Sequence, residues 1–321
     1  MAYFDVFNGD ADGICALHQL RLAQPRDATL VTGVKRDIQL LTRVDAAAGD
    51  QITVLDVSLS SNRAALLRLL ARGVNVDYFD HHDADPIPQH PLLHAHIDQS
   101  AKVCTSLLVD SHLHQRYQRW ALVAAYGDNL GEHADAIART ARIDRRTSSR
   151  LRELGEALNY NAYGDDESDL QIHPSELYRQ LQPYVDPITF IENNPWFERL
   201  HLARAADLSS ALACAPVLSS AHAVVFQLPD APWSRRVRGA LSNVLAVRSP
   251  QVAHAILTPN RSTGYVVSVR APNASALSAS EFASRFAGGG GRRRSAGINH
   301  LPADDIDRFC AEFVAFFQST N

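Results

Sequence analysis

In the first eighty residues, short β-branched and aromatic runs take turns with helical patterns, and that alternation leaves the chain few architectures. Strands are expected near 2–7, 28–32, 51–55 and 74–79, with helices near 13–23, 38–47 and 62–72 between them. Strand–helix–strand units of this length build a parallel sheet with helices on both faces. Ligands of such sheets sit outside the carboxyl ends of the strands. At or just past those ends stand Asp10, Asp12, Lys35, Asp56 and the run Asp80-His81-His82.

Carboxylates held close together repel unless a cation or a proton lies between them, so an Asp-x-Asp at a strand end points to metal more than to salt bridging. Each piece alone has a plainer reading. Aspartates such as Asp10 and Asp12 cap helices and form turns, a single His81 or His82 is an ordinary loop histidine, and Asp128-Asn129 follows the apolar helix expected at 120–127. Taken together they mix oxygen and imidazole donors, a set that suits Mn²⁺, admits Mg²⁺, Co²⁺ or Fe²⁺, and suits zinc less without thiolates. Two such ions about 3.5–4 Å apart can share a carboxylate, clamp a phosphoryl group and bring the pKa of a bound water to about 7. The chemistry implied is hydrolysis at phosphorus.

At 321 residues the chain exceeds one ordinary core, so two domains are expected. After a loop rich in proline and histidine at 83–91, the pattern is mainly helical from 100 to 184. The boundaries read as a catalytic domain at 1–185, a linker at 186–220 and a smaller C-terminal α/β domain at 221–321. In the last, strands are expected at 221–228, 252–258 and 264–269, with helices at 233–247, 278–286 and 303–318. The final helix carries Ile306, Phe309, Phe313 and Phe316 at helical spacing, a core stripe.

A net charge of −4 argues against coating duplex nucleic acid by charge alone, and leaves room for a small anionic ligand. Only Lys35 and Lys102 among the 31 basic residues are lysine, so arginine clusters carry less information here. No run of about 18 apolar residues appears and no secretory pattern opens the chain, which points to a cytoplasmic protein without membrane contact. Cys15, Cys104, Cys214 and Cys310 form no C-x-x-C pair and read as small buried hydrophobes; His90, His94 and His96 read as structural residues of the proline-rich loop.

Asp10-Ala11-Asp12-Gly13, Asp56, Asp80-His81-His82 and Asp128 resemble the four ordered motifs of the DHH phosphoesterase family. Gly288 to Gly291 with Ser295-Ala296-Gly297 resemble the glycine-rich motif of the DHH-associated C-terminal domain. The resemblance spans nearly the whole chain. It implies a parallel-sheet catalytic domain and a smaller C-terminal domain with a mixed sheet, which holds substrate.

Carried over by position, Asp10 is implied as a ligand of the first metal, Asp12, His81 and Asp128 as ligands of the second, and Asp56 as the bridge. His82 is implied as a contact to substrate phosphate and Asp80 as the residue that orients a histidine, with water activated by the metals as nucleophile. Ser268, Arg270, Gly289, Gly290, Gly291 and Arg292 are implied in holding the substrate's distal part. Lys35 and Arg36, on the same sheet edge as the aspartates, are further candidates for phosphate, although a solvated loop fits them equally well.

Two departures stand out. Many family members carry a histidine four residues before the first motif aspartate, where this chain has Val6, and Asn8 is a much weaker ligand. The histidine expected after the glycines is Arg292. The resulting expectation is a Mn²⁺-dependent phosphoesterase with one or two ions, hydrolysing di- or oligoribonucleotides or phosphorylated nucleotides. Hydrolysis of polyphosphate or pyrophosphate, and a non-catalytic nucleotide sensor with a single ion, are its rivals. A homodimer is compatible with the sequence.

Overall fold

The computed structural model describes residues 1–273 and 275–318. Two compact units make up the chain, 1–202 and 203–321.

The first unit is built on β1 (Tyr3–Phe7), α1 (Ala11–Ala23), β2 (Thr29–Val31), β3 (Gln51–Leu55), α2 (Leu59–Ala71), β4 (Asn75–Asp80) and β5 (Leu93–Ile97). Helices α3 (Thr105–His112), α4 (Gln118–Gly127), α5 (Gly131–Thr140), α6 (Arg145–Ala162), α7 (Pro174–Leu181), α8 (Pro187–Asn193) and α9 (Pro195–Leu212) follow. All five strands pair in parallel, in the order β2-β1-β3-β4-β5. The chain leaves β1 toward one edge and returns to its other side as β3. Strand order therefore reverses between β1 and β3, and their carboxyl ends open a crevice that side chains can line.

Both faces are covered because successive side chains point opposite ways along a strand. Val6, Val54 and Tyr78 join Leu59, Leu66 and Leu69 of the α2 side in one apolar layer. Their neighbours Phe7, Leu55 and Phe79 pack with Ile14 and Leu17 of α1, Trp120 and Val123 of α4, and Leu154 and Leu158 of α6 in the other. Helix α1 is buried from Ala11 to Arg21. Its one buried cation there, Arg21, pairs with Asp5 of β1 and donates to Thr53 Oγ1 of β3 at 3.0 Å.

Two expectations need correction in this unit. Only a short 3₁₀ turn, Leu40–Arg43, forms where a helix was expected at 38–47. His94 and His96 lie on strand β5, paired with β4, rather than on a loop. Within 186–220, α8 and α9 are helical, and the division between the units falls inside α9.

The second unit contains β6 (Leu218–Ser219), β7 (Ala223–Gln227), α10 (Pro232–Arg248), β8 (Ala253–Asn260), β9 (Gly264–Arg270), α11 (Ala279–Ala283), β10 (Gly289–Gly291), β11 (Ser295–Pro302) and α12 (Ile306–Gln318). Its sheet runs β10-β11-β9-β8-β7-β6, with only β7 and β8 parallel. The mixed sheet is as expected, but the glycine run is itself an edge strand and the segment after it is the long strand β11. Phe309 and Phe313 of α12 are buried against Phe282. Phe316 packs half-buried against Phe282, and Phe317 is buried as well. Among the described residues no helix is long and apolar enough to cross a membrane.

Candidate metal centre

Each acidic residue of the crevice is placed by the end of a regular element. Asp10 is the N-cap of α1, with Oδ1 accepting from the N–H of Asp12 at 3.0 Å and of Gly13 at 3.1 Å. The capping role that aspartate favours is thus real here. Asp12 faces α3, whose N-cap, Cys104, offers no side-chain bond. The Asp12 carboxylate fills that role across the fold, accepting from Thr105 N and Ser106 N at 2.7 Å each. The hydroxyls of these two residues do other work: Thr105 Oγ1 donates to Asp56 Oδ1 at 3.2 Å, and Ser106 Oγ to the Asp12 carbonyl at 3.0 Å.

Asp56 ends β3 with φ of +58°, in the left-handed region that costs a side chain with a Cβ free energy. Its N–H donates to Phe79 O at 3.0 Å, and Tyr78 Oη donates to Val57 O at 2.6 Å just beyond. These bonds hold the bend that ends β3. At the end of β4, Asp80 is fully buried and its Oδ1 lies 2.7 Å from His82 Nδ1. The histidine that Asp80 orients is therefore His82, whose side chain remains 44% exposed.

His81 turns inward. Its Nε2 lies 3.3 Å from Asp56 Oδ1 and 3.9 Å from both Asp12 Oδ2 and Asp128 Oδ2. Donor atoms of Asp12, His81 and Asp128 lie within 4.8 Å of one another, as do those of Asp56, His81 and His82. Cis ligands of an octahedral divalent ion are about 3 Å apart, so this donor set fits one such ion after small side-chain adjustments.

Burial, then the charges of Asp12, Asp10 and Asp128, push the Asp56 carboxyl well above the ordinary range, with Lys35 opposing. Burial also raises Asp128. Burial acts the same way on Asp10, but the charge and hydrogen bond of Lys35 and the Gly13 N–H outweigh it and leave that carboxyl low. For His82, burial disfavours the cation, yet the bond and charge of Asp80 prevail and raise it.

Lys35 lies deeper in the centre than a phosphate contact on the rim would. Its Nζ is 2.5 Å from Asp10 Oδ2 and 3.4 Å from both Asp128 Oδ1 and Asn159 Oδ1. The loop carrying it sits hard against the β1–α1 turn, where a Cβ on Gly9 would come 2.0 Å from Gly33 O. Arg36 instead pairs with Asp165 at 2.6 Å. Asn159 escaped the sequence reading because α6 is an amphipathic helix, on which one more polar residue carries no signal.

In the second unit, Ser268 Oγ lies 3.1 Å from Ser242 Oγ and accepts from Arg270 Nη1 at 3.2 Å; Nε and Nη2 of Arg270 grip Asn243 Oδ1 at 3.1 and 2.9 Å. Arg293 and Arg294 donate to backbone oxygens of Ala276 and Asn273, at 3.1 and 3.2 Å. Arg292 follows Gly291 on the exposed turn between β10 and β11.

No protein-family model and no curated protein sequence matches the chain. Solved structures do. Exonuclease RecJ bound to manganese aligns with a TM-score of 0.64 at 17% identity, over 100% of this chain and 91% of RecJ. The pGpG-specific phosphodiesterase PggH from Vibrio cholerae aligns over all of both chains, with a TM-score of 0.58 at 16% identity. An exopolyphosphatase-related protein from Bacteroides fragilis gives 0.51 at 11%, over 99% of this chain and 91% of that one. At such identities the likeness shows the fold: a parallel sheet wrapped by helices, followed by a mixed-sheet unit. It is the fold that the DHH resemblance implied.

Proposed function

We propose that the protein is a metal-dependent phosphoesterase that hydrolyses short nucleotides, with Mn²⁺ as its preferred ion. One observation carries the reading: the carboxylates of Asp12, Asp56 and Asp128 converge with His81 at a topological switch point, buried closely enough that a cation or a proton must share the space. Asp12, Asp56, His81 and Asp128 would hold the ion. A divalent cation there supplies charge to polarise a phosphoryl oxygen and to acidify water.

The chain's own groups do the rest. His82 Nδ1–H donates a hydrogen bond to Asp80, which leaves Nε2 of the protonated ring as the donor for a phosphate oxygen. Burial disfavours the His82 cation, but the bond and charge of Asp80 raise its pKa, the direction that favours pairing with an anionic substrate. Thr105 fixes the Asp56 carboxylate and α3 fixes that of Asp12, so the ligands are set before the ion arrives. In the C-terminal unit, Ser268, Arg270, Gly289, Gly290, Gly291 and Arg292 are the proposed grip on the distal part of the substrate. A modest net charge and the likeness to PggH favour a di- or oligonucleotide over a long strand.

Purified protein with Mn²⁺, offered pGpG, other linear dinucleotides, 3'-phosphoadenosine phosphate and cyclic dinucleotides, is expected to release phosphate or mononucleotides from at least one. Asp56→Asn should lower that turnover by about a hundredfold or more. No turnover of any substrate, or an Asp56→Asn protein as active as its parent, overturns the reading.

A further inference from the structure

Both oxygens of Asp10 accept hydrogen bonds, as those of Asp12 do, but one of the two on Asp10 meets a cation. Oδ1 takes two backbone N–H groups of α1, and Oδ2 takes the Lys35 ammonium. The same ammonium reaches Asp128 Oδ1 and Asn159 Oδ1, so three oxygens from the β1–α1 turn, the end of α4 and α6 surround one cation that the chain itself carries. Its position is fixed from the backbone. Lys35 N–H donates to Ala162 O at 2.9 Å, and Asn8 Nδ2 donates to Lys35 O at 3.3 Å. Asn8 Oδ1 meanwhile accepts from Asp10 N at 3.2 Å, so the amide ties the Lys35 loop to the turn that carries Asp10. Val6 is fully buried in the apolar layer on the α2 side of the sheet and brings no donor.

Asp128 divides its carboxylate. Oδ1 faces the ammonium, while Oδ2 faces His81 and, with Asp12 and Asp56, the divalent site. From this we infer that the Lys35 ammonium holds the place of a second divalent ion, so that the centre binds one divalent cation and Asp10 serves Lys35 rather than a metal. The inference rests on the metal-dependent reading above. Its physical basis is Coulombic: a divalent ion sharing Asp10 Oδ2 would sit within a few Å of the Lys35 ammonium and be repelled by it, at a carboxylate that already accepts two N–H groups and that ammonium. A tethered ammonium also stays in place at any metal concentration, and as a compact point charge it can meet a phosphate oxygen.

Metal stoichiometry tests it without reference to turnover. Chelator-stripped protein is titrated with Mn²⁺ by calorimetry, with metal analysis after gel filtration and electron paramagnetic resonance on the loaded samples. Wild type is expected to bind one ion per chain with an uncoupled Mn²⁺ spectrum. Lys35→Met frees the three oxygens and should bind two, with exchange coupling between them. Asp10→Asn keeps the helix cap and should still bind one ion with nearly unchanged affinity. Two ions in wild type, a folded Lys35→Met that still binds one, or Mn²⁺ binding weakened about tenfold or more in Asp10→Asn overturns the inference. Should Lys35→Met fail to fold by circular dichroism, wild type and Asp10→Asn decide alone. A wild type that binds no ion instead removes the metal-dependent reading itself, a result distinct from two ions.

Discussion

The Asp12 carboxylate and the Thr105 N–H meet at 2.7 Å although 93 residues separate them. With Ser106 N at the same distance from its other oxygen, Asp12 caps a helix to which it does not belong. A proposed metal ligand is thereby also a structural part of the unit.

Asp12→Ala should therefore destabilise even the metal-free protein. It leaves two buried N–H groups of α3 without an acceptor, and loss of a cap of this kind costs about 1–2 kcal/mol. Urea unfolding of chelator-treated wild type and variant measures it. Equal midpoints would mean that α3 finds another acceptor.

Proton and cation should compete at Asp56. Its carboxyl is raised by burial and then by neighbouring carboxylates, so in the metal-free protein the folded state keeps a proton that the unfolded chain has already lost. That contribution is fully present below the ordinary carboxylate range and is lost as pH rises through the raised value. A divalent ion replaces the proton. Thermal melts with and without Mn²⁺ should show a stabilising shift that grows with pH, and Asp56→Asn should flatten the trend.

His18 sets an acid limit elsewhere. Burial against Trp120 and Tyr178 holds its pKa down at about 4, while Nε2 bonds to Tyr184 O at 2.8 Å. The folded state wants the neutral ring, so this stability is present above the unfolded value near 6.5 and is lost as pH falls from there through 4. The shift corresponds to roughly 3 kcal/mol. His18→Gln should lower stability at pH 7 and narrow its loss between pH 7 and pH 4; a variant with the parent's full acid slope would place the sensitivity in another group.

The glycine strand β10 separates packing from recognition. A Cβ at Gly289 would come 1.9 Å from Ala283 O, whereas one at Gly290 meets nothing within 4 Å. Gly289→Ala should cost about 1–3 kcal/mol through forced backbone shifts. Gly290→Ala should leave unfolding unchanged and, if the strand's backbone approaches a phosphate, raise KM alone. Denaturation and steady-state kinetics on the two variants distinguish these effects.

What the sequence made legible were features written in local pattern. The ends of β1, β3 and β4 could be read because apolar runs stop at charged residues, and Asp128 because an apolar helix delivers it. Strand β5 was hidden: Leu93–Ile97 alternates leucine, alanine and isoleucine with histidine after a proline-rich stretch, and as an edge strand it buries little. Strand β11 was not expected, because Gly297 and Pro302 are poor strand formers and it is β9 that pairs with them. The Lys35–Asp10 contact had no local signature. It depends on the loop around residues 33–35 folding against Gly9 and on Ala162 anchoring it, both consequences of tertiary packing.

The left-handed backbone at Asp56 also bears on how this protein can change. Asparagine and glycine tolerate that conformation best, and neither supplies a charge, while a longer acid such as glutamate would have to pay for the bend without the short aspartate's local bonding. Random mutagenesis should find the position easy to silence and hard to convert to another chemistry, so inactive descendants of this chain would keep their shape and carry Asn or Gly at residue 56.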